Sequence, residues 1–79
     1  MRGAPTADLI ALYDRMTNRV MKEQLIYVYS QIRATDVVDK MMDIARNEKD
    51  IELRKKALFW LSQSKDPRVA KFLLEIIER

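Results

Sequence analysis

Glu52 to Arg79, ELRKKALFWLSQSKDPRVAKFLLEIIER, repeats the apolar and polar pattern of Val20 to Asn47, VMKEQLIYVYSQIRATDVVDKMMDIARN, at a constant offset of 32 positions without a gap. Met21, Leu25, Ile26, Tyr27 and Tyr29 fall on Leu53, Ala57, Leu58, Phe59 and Leu61; Val37, Met41, Met42, Ile44 and Ala45 fall on Val69, Leu73, Leu74, Ile76 and Ile77. Four positions are identical, Ser30/Ser62, Gln31/Gln63, Val37/Val69 and Ile44/Ile76, so the signal is shared periodicity more than shared residues. A period of this length is that of a stacked helical repeat.

Working outward, each copy divides into two helices. Met21, Leu25, Val28, Tyr29 and Ile32 share one face of the first, echoed by Leu53, Ala57, Trp60 and Leu61. Val37, Met41, Ile44 and Ala45, then Val69, Leu73, Ile76 and Ile77, mark the second. Leu9, Ile10, Leu12 and Tyr13 stand 32 positions before Met41, Met42, Ile44 and Ala45, so the chain opens on a lone second helix. Five helices are predicted, over residues 6–16, 18–33, 35–46, 50–63 and 66–78, in an all-α superhelix of antiparallel pairs amounting to about two and a half repeats. Asn18, Asp50 and Asp66, the last directly before Pro67, are expected N-caps, and Thr35 takes that role for the third helix. Wide apolar stripes on the second helices suit contact with both a partner helix and a neighbouring repeat. Residues 1–5 are expected to be a disordered leader or a vector-derived remnant, and 6–79 a single domain.

Composition narrows the function. In 79 residues there is no cysteine and no histidine, which removes disulfides, thiolate metal sites and the commonest general base. One glycine excludes Gly-rich phosphate loops. With 48% hydrophobic and 34% charged residues the chain reads as a folded, soluble helical protein, and no apolar run reaches membrane-spanning length. A cytoplasmic location is favoured. No cofactor, no metal and no membrane partner is expected.

The stretch Leu53-Arg54-Lys55-Lys56-Ala57-Leu58-Phe59-Trp60-Leu61-Ser62-Gln63-Ser64-Lys65-Asp66-Pro67-Arg68-Val69 resembles the bacterial HEAT-repeat pattern, in which V-R-x-x-A-x-x-x-L runs through a D-P-R turn into a leucine-rich helix. The middle copy departs from it at Ala34-Thr35-Asp36. A tetratricopeptide reading fits poorly, because Trp60 is followed directly by Leu61. The resemblance implies an α-solenoid fragment that binds other proteins without catalysis, with Arg68 pairing to turn or carboxylate groups of a neighbouring repeat.

Several residues are candidates for that surface. Tyr27 and Phe59 are equivalent and lie off the main stripe; as an exposed ridge they would dock a partner, a bilin or a base, although half-burial against the neighbouring first helix is the preferred expectation. Trp60 is expected in the core, with a cost of about 3–5 kcal/mol on truncation to alanine. Arg54, Lys55 and Lys56, with Lys71 beyond, form the densest basic run, which makes phosphate-backbone binding the runner-up function. Opposite charges at i, i+4, such as Asp50/Arg54, Glu52/Lys56, Asp36/Lys40 and Glu75/Arg79, favour a solvated face instead. Asp39 and Asp43, one turn apart, have a spacing that suits a hard cation or acid–base work, yet lack a supporting cluster. Lys40 is assigned to the solvent side with them. A stack this short is expected to expose apolar surface on its first helix and to associate end to end as a homo-oligomer.

Overall fold

Helices α2 (Arg19–Ser30) and α4 (Ile51–Ser62) begin and end 32 residues apart, so the sequence offset is reproduced at both boundaries. The computed structural model describes residues 5–78. Around these two run α1 (Pro5–Arg15), α3 (Thr35–Asn47) and α5 (Pro67–Ile77), and no strand occurs among the described residues. Residues 1–4 of the expected leader, and Arg79 with its expected partner role for Glu75, lie outside the described residues.

The repeated residues repeat their hydrogen bonds. Asn18 accepts from the Met21 amide and Asp50 from the Glu52 amide, each capping its helix. At the other ends Ser30 and Ser62 donate to the carbonyls of Tyr27 and Phe59, while Gln31 and Gln63 donate to those serines. Two of the identical pairs are thus helix-end devices. A third, Val37/Val69, is buried in both copies. Asp66 accepts from the Arg68 amide ahead of Pro67, as expected. The third helix differs from expectation: Thr35 is its first helical residue, and Ala34 stands at the N-cap with no side-chain bond. Its start is instead tied to the next repeat, where Arg68 donates to the Thr35 carbonyl (3.4 Å) and to Asp39 (2.6 Å).

α2 and α4 lie side by side in one layer, and α1, α3 and α5 form the other, joined by Arg68–Asp39 and by Arg46, which reaches Glu75 and the Phe72 ring. Loops of three and four residues alternate between the helices. The core runs between the layers: Tyr13, Leu25, Ile26, Tyr29, Ile44 and Leu53 are among its residues. α3 and α4 make the most intimate pair, and each buries an alanine, Ala45 and Ala57. The equivalent positions in α1 and α2 are Tyr13 and Leu25. Although the repeat therefore suggests that leucine fits at 57, Ala57→Leu should overpack this contact and cost about 2 kcal/mol. A urea titration should show a lowered midpoint at unchanged slope.

Four expectations are corrected by the packing. The buried face of α2 turns away from Val28 and toward Ile26, which is 0% exposed. Trp60, the equivalent of Val28, is only partly buried at the edge of the core. Lys40 is buried: its stem lies over the Tyr13 ring and its ammonium reaches Asp14 (2.8 Å) and Asp43 (3.5 Å). The large exposed apolar residues lie on α2, α4 and α5, including Val20, Met21, Leu74 and Ile77, and not on α1, whose Leu9, Ile10 and Leu12 pack against the core. No described helix is long and apolar enough to cross a membrane.

Candidate functional site

Three of the aromatic side chains gather on the outer face of the α2/α4 layer. Tyr27 and Phe59 are 52% and 57% exposed, so the half-buried expectation gives way to the ridge. They are held there by Trp60, whose ring meets Tyr27 edge-on at 5.8 Å and Phe59 edge-on at 5.1 Å between centroids. The same rotation of the helix that buries Ile26 and Leu61 brings Trp60 out to join its neighbours. Sequence spacing alone placed Trp60 on the wrong side of that boundary; the visible signal was its equivalence to Val28, which is also exposed.

Beside the ridge, between the loop after α2 and the loop after α4, a groove of ≈420 Å³ runs along one edge of the molecule. Ile32, Val38 and Trp60 line it apolarly, with Arg33 and Lys65 contributing equivalent cations from the two repeats. Trp60 is thus the wall shared by ridge and groove.

The charged candidates do not converge. The run Arg54-Lys55-Lys56 is split across α4: Lys56 faces Glu23 of α2 (3.9 Å), whereas Arg54, partly buried, and Lys55, which also pairs loosely with Glu52 (3.8 Å), line a groove toward α5 with Arg46. Of the expected i, i+4 pairs, Asp50 is taken by Arg19 (2.6 Å) and Lys40 by Asp14, across helices instead of along them. The Arg19 guanidinium, with help from backbone amides, holds the Asp50 carboxyl below the usual carboxylate range.

Asp39, Asp43 and Lys71 do share a shallow depression between α3 and α5 with Arg46, Arg68 and Glu75. Its carboxylates are already matched, whereas Lys71 has no carboxylate within 4 Å among the described residues. Asp39 is held by Arg68, and Asp43 accepts from Asn47 (2.7 Å) and lies near Lys40. The pairing of Arg68 with a carboxylate of the preceding repeat agrees with what the sequence resemblance implies for it. Arg68 in turn holds the Asp66 carboxyl low through a side-chain hydrogen bond. The arrangement joins repeats and leaves neither carboxylate free to act as a pair.

Comparison with protein-family models, with curated proteins and with solved structures finds no match.

Proposed function

We propose that the protein is a non-catalytic, HEAT-like interaction module that binds another protein or peptide across the Tyr27–Trp60–Phe59 ridge and the adjoining groove. The ridge carries the reading. Full burial of an aromatic side chain is worth about 2–3 kcal/mol, so two aromatics left more than half exposed, in contact with a third, are an apolar patch with a use. Rigid aromatics of this kind are the usual anchors of protein interfaces. The layered repeat supplies the rigidity, and the groove supplies a place for an extended segment beside the anchors.

Phosphate-backbone binding has weaker support, because Lys56 is turned away from Arg54 and Lys55 to face Glu23, and Lys55 lies near Glu52. Peptides selected from a random library against the whole protein should bind with a change in Trp60 fluorescence. Their affinity should fall about tenfold or more in a Tyr27→Ser/Phe59→Ser double variant. Equal binding to wild type and variant would remove the ridge from the interface. Salt-steep binding to duplex DNA, with no peptide selected, would favour the electrostatic reading instead.

A further inference from the structure

The repeat itself shows what belongs on the far side of α4. On α2, the stripe Arg19, Lys22, Glu23 and Ile26 faces α4 and the loop before it. Arg19 meets Asp50, Lys22 meets Glu48 (3.3 Å), Glu23 meets Lys56, and Ile26 is sealed. Thirty-two residues later the same stripe reads Ile51, Arg54, Lys55 and Leu58. It lines a groove of ≈450 Å³ with Ile76 of α5 and Arg46 of α3, and no described helix covers it. Ile51 is 53% exposed, Arg54 has no carboxylate within 4 Å among the described residues, and Lys55 has only its loose contact with Glu52 along the same helix.

We infer that this groove seats an acidic amphipathic helix of a partner protein. The chemistry follows from the template position by position. Arg54 replaces Lys22, which is met by the Glu48 carboxylate in the loop ahead of α4, so the arriving segment needs an acid in the turn that leads into its helix. Lys55 replaces Glu23, which is met by Lys56, so the sign is reversed and the arriving helix needs an acid at that place too. Ile51 replaces Arg19, and together with Leu58 and Ile76 it asks for an apolar face on the arriving helix.

A second copy does not supply this helix by continuing the stack. Seating a copy's α2 or α4 beside α4 carries the helix that precedes it, α1 or α3, into the space that α5 fills, by the same repeat symmetry. The cations also oppose it, since α4 would bring Lys56 against Lys55. The inference extends the protein-binding reading to a second surface and rests on that reading only in taking the partner to be protein.

The test uses a pair of peptides copied from this chain's own α4 and the loop before it, Glu48 to Gln63, one unaltered and one carrying Lys56→Glu. The altered peptide should bind the whole protein about five- to tenfold more tightly, since it exchanges one exposed repulsion for one exposed attraction. The preference should reverse in a Lys55→Glu protein, and Ile51→Asp should weaken both peptides; both sites are exposed, and helicity by circular dichroism should be unchanged. Equal affinity for the two peptides, a preference unaltered by Lys55→Glu, or no binding of either at about 1 mM overturns the inference. A protein that sediments as a dimer dissolved by Ile51→Asp assigns the groove to a second copy and also overturns it. Because the ridge is probed by library-selected peptides and this groove by a designed pair, the two readings fail separately.

Discussion

Replacing Ile26 by alanine should lower the unfolding free energy by about 3 kcal/mol, whereas Trp60→Ala should cost no more than about half of that. The contrast reverses what side-chain size suggests. Ile26 is 0% exposed, among the side chains sealed between the layers. Truncating it leaves a cavity whose walls, made by two helices already fixed by capped ends, cannot collapse to fill it. Trp60 sits at the margin, partly buried against the core and edge-on to the exposed Tyr27 and Phe59, so its removal opens a dent at the surface that water fills. A domain of this size has few kilocalories to lose, and Ile26→Ala should show a broadened, early thermal transition. Trp60→Ala should melt close to wild type and lose library-selected peptides. A larger loss for Trp60→Ala than for Ile26→Ala would place the α2/α4 face in the other phase.

Helix existence, order and repeat length were legible because they rest on periodicity, which survives substitution. The offset of 32 positions reappears in helix boundaries, in caps and in the serine–glutamine helix ends. What periodicity leaves open is rotation of a helix by a fraction of a turn. On α2, Leu25 and Tyr29 are flanked by Val28 on one side and Ile26 on the other, both apolar, so either side could have closed the stripe. The decision lay with packing partners: α4 covers Ile26 and leaves Val28 at the edge. Charge pairing failed to be legible for a related reason. Along-helix spacing suggests Asp50 with Arg54, but Arg19 from the neighbouring repeat reaches Asp50 at 2.6 Å, and only the three-dimensional stack reveals it. Lys40 is the extreme case. A charged residue at a position equivalent to Phe72 looks like solvent-facing polarity, yet its stem is buried and its ammonium is carried out to Asp14. The ridge was half legible: the Tyr27/Phe59 equivalence marked it, and the tryptophan that joins the two was hidden by the same unresolved rotation.

Glu48→Ala should destabilise the fold by about 3 kcal/mol at neutral pH, although no pattern in the sequence marks this residue. Its side chain is 10% exposed and gathers three donors: the Tyr13 hydroxyl (2.6 Å) from α1, the Lys22 ammonium (3.3 Å) from α2, and the Asp50 amide (3.0 Å) at the start of α4. The Lys22 ammonium also lies 5.0 Å from the centre of the Tyr13 ring, so the carboxylate, the ammonium and the ring close on one another. Removal orphans all three donors at once, which is costlier than deleting one neutral hydrogen bond; Tyr13→Phe, by comparison, should cost about 1 kcal/mol. The electrostatics give a second signature. Burial pushes the Glu48 carboxyl upward, but the hydrogen bonds from the Asp50 amide, Tyr13 and Lys22 outweigh it and hold the group below its ordinary value of 4.5. The fold therefore favours the ionised form. That contribution is complete above the ordinary carboxylate range and is lost as pH falls through the lowered value. Burial and the same Glu48 bond push the Tyr13 hydroxyl upward, so it stays a donor throughout this window. Urea titrations followed by Trp60 fluorescence should show a large gap between wild type and Glu48→Gln near neutral pH that narrows as the pH falls below the ordinary carboxylate range and the wild-type carboxylate is itself protonated. A gap that stays constant over that range would mean that Glu48 acts through shape alone and not through its charge.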